Sequence, residues 1–222
     1  MILLAFLLFA WAAGDLERAR DRQDKATLER AASELAAIAA KQPNDATSHY
    51  RVAVAQSYLS EIAMEQRDKV QAKNAAEVGM KAAERAVALS PSVSEHHRVL
   101  GTLCGQVIPA NVMAGLKYGR CAQESINKAI ELDGRSAIAY VSRGVGNYYL
   151  PPMFGGGPEV AIRDFQKAIQ TNPKLAEAHL WLGIALRKAN RNEEAQRAIA
   201  KSLELNPDRV WAKQQLDKTP AK

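Results

Sequence analysis

At 222 residues the chain is long enough for one extended domain, and 47% hydrophobic with 24% charged residues is the composition of an ordinary folded soluble protein. Aromatic residues make up only 6% while alanine fills long stretches, which favours close-packed helices over a β-sandwich or barrel. The formal net charge is +6, but Lys and Arg are mixed with Asp and Glu along most of the chain, a pattern of solvated helix faces rather than a nucleic-acid footprint.

Residues 1–13 are apolar from Ile2 to Ala13 and carry no charge. The run is too short for a bilayer span, which needs about 20 apolar residues, and fits a secretory signal ending in the small-x-small triplet Ala10-Trp11-Ala12. No Lys or Arg precedes it, so the start could lie upstream or the segment could stay as a short anchor, and no cysteine follows to carry a lipid. The expectation is an exported protein, in a bacterial periplasm or secreted, without a stable membrane span.

Residues 14–45 read as a charged helix followed by an alanine-rich one, with Ala31, Leu35 and Ile38 on one stripe and Pro43 closing it, a degenerate first helical pair. Asn44-Asp45 caps a helix from about Ala46 that carries His49, Val52, Ala53 and Gln56, and its partner carries Gly79, Ala83, Ala86 and Leu89 before Pro91. Extra residues around Glu61 to Lys73 predict longer helices here. The third pair, Ser92 to Gly134, has His97, Leu100, Gly101 and Cys104, then Ala122, Ile126 and Ala129. Residues 106–119 are inserted between its helices, and Pro109 and Gly115 predict a folded-over loop or short extra helix. The fourth pair carries Tyr140, Arg143, Gly144 and Asn147, then Ala161, Phe165, Ala168 and Pro173, with residues 150–158 inserted at the turn. The most regular copy runs from Leu175 to Pro207. Leu182, Gly183 and Leu186 share one face, Ala195, Ile199 and Ser202 another, and Asn190 to Asn192 form the polar turn. Gly183 and Ala195 are small where two backbones must approach. Residues 208–222, with Val210, Trp211 and Leu216, read as a capping helix and tail.

This unit resembles the tetratricopeptide repeat: Leu182-Gly183, Ala195, Ile199 and Pro207 match its pattern, whereas His179 stands where tryptophan is usual. The resemblance implies an all-α, right-handed helical-hairpin solenoid over residues 46–207, ending in a capping helix. Residues 92–207, with Tyr118-Gly119 and Phe154-Gly155-Gly156 each ahead of a helix, are further similar to exported bacterial tetratricopeptide proteins. Among these is the component associated with TRAP-type solute transporters, which implies a transporter component or a small apolar ligand as an alternative partner.

Four features invite chemistry. His96-His97 suggests a metal, but His49, His97 and His179 fall in one slot of successive repeats about 10 Å apart, too far to share an ion, so they read as packing residues where the first helix meets its own partner. Phe154 to Glu159 suggests a phosphate cradle, but no Lys-Ser/Thr pair follows, and Pro158-Glu159 reads as an ordinary helix start. Cys104 and Cys121 are either two buried small hydrophobes, the reading the residues favour slightly, or a disulfide pinning the 106–119 insertion. No nucleophile motif or acid pair appears, so neither catalysis nor a cofactor is expected.

What remains is the concave side, lined by the first helix of each pair. Projecting there are Tyr50, Val54, Ser57 and Tyr58, then Arg98 and Thr102, then Val141, Val145, Tyr148 and Tyr149, and finally Leu180, Ile184 and Arg187. These predict an apolar groove in which Arg98 and Arg187 meet carboxylates, unless the superhelix is tight enough for the residues to pack on each other. The expected function is a non-catalytic scaffold holding a peptide or protein segment in that groove. The alternatives are a carrier of a small hydrophobic or carboxylate ligand beside a transporter, and an envelope assembly factor working through its insertions.

Overall fold

The computed structural model describes residues 11–108 and 112–220, so the apolar leader lies outside the described residues up to position 10. Among the described residues the chain is eleven α-helices without a strand: α1 Ala13–Asp21, α2 Lys25–Lys41, α3 Ala46–Glu65, α4 Lys69–Leu89, α5 Ser94–Val107, α6 Val112–Leu132, α7 Ala137–Tyr149, α8 Pro158–Thr171, α9 Ala176–Lys188, α10 Asn192–Leu205 and α11 Val210–Asp217. Five helical hairpins stack in order, the leading helices α1, α3, α5, α7 and α9 each touch the next one along the stack, and α11 closes the end on α10. No helix of the described residues is long and apolar enough to cross a membrane.

One turn recurs in the three hairpins that lack an insertion. Gln23, Arg67 and Asn190 each take left-handed backbone angles (φ 53°, 65° and 61°). The following amide then reaches back to the last turn of the helix: Asp24 N to Ala19 O at 2.8 Å, Asp68 N to Ala63 O at 2.8 Å, Arg191 N to Leu186 O at 2.9 Å. These bonds satisfy carbonyls that a helix end leaves orphaned. Asp24 and Asp68 then cap the second helix, accepting from the amides of Thr27 and Gln71 at 3.0 Å. Because α1 and α2 use the same device as α9 and α10, they are built as a copy of the same unit despite their degenerate sequence.

The small residues sit where two helices cross. A Cβ on Gly183 would lie 2.8 Å from the Ala195 carbonyl oxygen, and one on Gly144 would lie 2.5 Å from the ring of Phe165, itself fully buried. Larger residues at these positions would force the two helices of each hairpin apart.

Two expectations are corrected. The slot of His49, His97 and His179 does not pack one helix on its partner; it ties each leading helix to the loop before it. Each Nε2 donates to the carbonyl six residues back, of Pro43, Pro91 and Pro173, at 3.1, 2.7 and 2.9 Å, and Tyr140 Oη does the same to Gly134 at 3.2 Å. A carbonyl only accepts, so the Nε2 of each ring carries a proton. His96 lies apart from this slot, buried beside the Tyr50 ring at 5.3 Å.

The 106–119 insertion also departs from the expected folded-over loop or short extra helix. From Val112 it is helical, and α6 passes through Gly115 and Gly119 without breaking, so the extra residues lengthen the second helix instead of folding over it. The long α6 brings Cys121 opposite Cys104, and the two are disulfide-bonded with their Cα atoms 6.0 Å apart. The pair is therefore a covalent staple across the hairpin, not two separate buried thiols.

Candidate interaction surface

The residues expected to form a groove do share the leading helices, but most are engaged with other parts of the chain. Tyr50 Oη donates to Glu95 at 3.3 Å, and Arg98 donates to both oxygens of Glu95 at 2.5 and 2.8 Å and to Ser142 Oγ at 3.4 Å. Thr102 donates to Ser142 at 3.2 Å, and Ser57 donates to Gln106 Oε1 at 3.3 Å. These bonds tie α3 to α5 to α7. Val54 is half-buried against the cores on either side of it, and Val141 is buried. Leu180 and Ile184 are covered by Ala212, Trp211 and Leu216 of the last helix. Arg187 is occupied by the carbonyl and side chain of Gln215 and by Thr219 Oγ1, at 2.7–3.0 Å. The expectation that Arg98 and Arg187 wait for a ligand carboxylate is thus corrected: both guanidiniums already have acceptors within the chain.

The concave side is further closed by a contact between the two ends, which sequence reasoning missed. Arg209, 1% exposed, reaches Glu65 at 2.5 Å and Glu61 at 2.6 Å, with Glu177 and Asp21 at 3.6 and 3.7 Å from its Nε. Arg20 bonds Asp21 at 2.7 Å, approaches Glu177 and Glu61 at 3.9 and 4.0 Å, and covers the ring of Tyr58 at 5.1 Å. Asn206 donates to Asp21 at 2.7 Å and Arg22 to Asp208 at 2.8 Å. Burial pushes the Glu61 carboxyl up to about 7, against the opposing pull of Arg20 and Arg209. Desolvation likewise raises the Tyr58 hydroxyl to about 12. One signal was readable: Arg209 occupies the position just ahead of α11 that Leu175 holds just ahead of α9, an arginine in a slot that another copy fills with an apolar residue.

The exposed apolar surface lies instead on the rim, at the 150–158 insertion. Its glycine amides are consumed inside the turn: Gly155 donates to Pro152 O at 2.9 Å, Gly156 to Pro151 O at 3.3 Å and Gly157 to Asn147 O at 2.8 Å. Gly155 and Gly157 have φ of 85° and 104°, angles that side chains resist. Those amides therefore build a turn and are not free to cradle a phosphate. Asp164, buried on α8, anchors the base by accepting from Arg143 at 2.6 Å and Asn147 at 2.7 Å.

On this frame Met153 and Phe154 stand 82% and 66% exposed, beside Tyr149 at 55%. Tyr149 belongs to an aromatic wall in which Tyr148 contacts Tyr149 edge-on at 4.9 Å and Trp181 at 5.9 Å, and Trp181 contacts Trp211 at 5.2 Å. Lys188 lies over Tyr148, 4.1 Å from its ring. Val145 and Tyr148 are half-buried parts of the same cluster. Among the described residues the other large exposed apolar side chains are Val70 and Val78 on α4 and Val93 ahead of α5. Three such groups within six residues on a built turn are of another kind, because contiguous exposed apolar surface marks contact sites.

Comparison with known proteins agrees with this architecture. Residues 12–150 match the family described as regulator of microtubule dynamics protein 1-3, and residues 156–216 match a tetratricopeptide repeat family. No curated protein matches the sequence. Among solved structures, the chain is similar to a thermophilic tetratricopeptide protein of Thermus thermophilus, with 16% identity and a TM-score of 0.65 over 90% of this chain and 97% of that one. Weaker likenesses are to YrrB, described as a tetratricopeptide protein with an unusual peptide-binding site (16% identity, TM-score 0.46, 92% and 89% covered), and to pilF of Pseudomonas aeruginosa (19%, 0.48, 75% and 66%).

Proposed function

The chain belongs to the regulator of microtubule dynamics protein 1-3 family, and on that premise we propose that it is a non-catalytic tetratricopeptide scaffold holding a protein segment at the rim of α7 and α8. The observation that carries the proposal is the exposure of Met153, Phe154 and Tyr149 on a turn whose conformation is fixed by its own hydrogen bonds and by Asp164. A preformed apolar turn gains affinity because little ordering remains to be done on binding. The segment it fits is extended and apolar, burying its side chains against Phe154 and the aromatic wall.

The groove expected on the concave side is a weaker site, since its polar members are bonded to one another and Leu180 and Ile184 lie under α11. The same occupancy weighs against a small-ligand carrier. The Cys104–Cys121 bond supports an oxidising compartment, the address that the apolar leader also suggests.

The test is a pair of variants assayed for partner recovery at native expression. Met153→Asp with Phe154→Asp removes the partner while Thr102→Arg, on the concave side, retains it. Recovery that survives the first and fails in the second overturns the proposal.

A further inference from the structure

In a repeat solenoid each unit touches only its neighbours, so the fold itself does not require the first hairpin to meet the last. Here it does. The end of α1 supplies Arg20 and Asp21, the turn after it Arg22 and Gln23, the end of α3 Glu61 and Glu65, the start of α9 Glu177, and the α10–α11 turn Asn206, Asp208 and Arg209.

Apolar clusters join the first hairpin to the second, the second to the third and the fourth to the fifth, and α5 is tied to α7 by Arg98 and Thr102 on Ser142, whereas no cluster of the described residues includes side chains from both ends. The junction is made of ion pairs and hydrogen bonds, with two guanidiniums set among four carboxylates, and the buried Arg209 Nε has no acceptor within bonding distance. Buried charges gain Coulomb energy but lose hydration of similar size, so such a contact lies near balance. Polar contacts between parts of a chain that could each stand without them are where relative motion is expected.

We propose that the two ends form a reversible electrostatic clasp: closed, it joins the last hairpin to the first two and lays Arg20 over Tyr58; open, it releases Tyr58 and the Glu61 and Glu65 carboxylates to water. Opening also loosens the aromatic wall. The guanidinium of Arg209 covers Trp211 at 5.4 Å, Trp211 packs on Trp181, and Trp181 touches Tyr148 and Tyr149.

The clasp is tested by crosslinking its exposed pair. Arg22 and Asp208 are 58% and 52% exposed and 2.8 Å apart, and the native cysteines are bonded to each other, so an R22C/D208C protein offers two reactive thiols to a short bismaleimide. Intramolecular crosslinking is expected to be fast, and to slow roughly tenfold on adding Arg209→Gln or Arg20→Gln, with far-UV circular dichroism unchanged because an open clasp lets water solvate the freed carboxylates. An unchanged crosslinking rate in both variants means the junction is rigid and overturns the proposal. Loss of helicity in both overturns it as well, since the junction would then be a strut the fold cannot do without.

Discussion

Arg209 and Glu65, 144 residues apart, meet at 2.5 Å with both side chains almost fully buried. An ion pair of this burial contributes little net stability while both partners are present, yet is costly to break from one side. It joins the turn ahead of the last helix to the second hairpin, so that the far end of the stack meets its start.

The clasp should weaken with rising pH. Glu61 is held near 7 by burial, and the charged and titratable groups around it are Arg20 and Asp21 of α1, Tyr58 and Glu65 of its own helix, Glu177 of α9 and Arg209. Its folded value lies above the ordinary value of 4.5, so between those pH values the folded state binds more proton than the unfolded one. Its contribution is complete below the unfolded value and is lost as pH rises through about 7. Thermal melts from about pH 5.5 to 8 should therefore show falling stability, and Glu61→Gln should flatten the slope. At the acid end the sign reverses. Bonds from Thr27 and Ser48 lower the carboxyls of Asp24 and Asp45, so their capping contribution is present above the unfolded value and disappears as pH falls through the folded one.

Gly183→Ala should destabilise by about 2 kcal/mol, because the new methyl meets the Ala195 backbone carbonyl, which cannot rotate aside. Gly144→Ala meets a side chain instead, the ring of Phe165, so pairing it with Phe165→Leu should recover part of the loss. Urea titration of the three variants checks both statements.

Reduction should be felt locally. The Cys104–Cys121 bond closes a loop of 17 residues, for which chain entropy predicts about 3 kcal/mol. Thiol titration of the denatured protein should find no free thiol before reductant and two after it. Hydrogen exchange should rise first in α5 and α6.

The hairpins were legible because their signals are local. Gly183 with Ala195, Gly144 with Phe165, and the histidine slot each recur at repeat spacing, and a close crossing demands the same small residue wherever it occurs. The glycine turn at 155–157 was legible for the same reason. The clasp was not, because Arg209 meets Glu61 and Glu65 across 148 and 144 residues, and no periodicity links an arginine in one turn to carboxylates on a distant helix. The groove was misjudged in consequence: the helix face was identified, but whether a face is open depends on what the far end of the chain lays over it. Gly115 misled about the insertion because helix propensity is weak beside the packing that holds α6, while the break expected at Pro109 lies outside the described residues.

Met153→Asp and Phe154→Asp should leave the melting temperature nearly unchanged, within about 0.5 kcal/mol of stability, as both side chains are already in water. Differential scanning fluorimetry separates this from the losses expected in the core.

The most direct measurement of where this protein works is site-specific photocrosslinking in cells, with a photoreactive amino acid placed at Phe154 in one protein and at Thr102 in another. A rim scaffold gives a discrete protein adduct from position 154 and none from 102 while the clasp is closed. An adduct from 102 alone would return the working surface to the hollow and contradict the account.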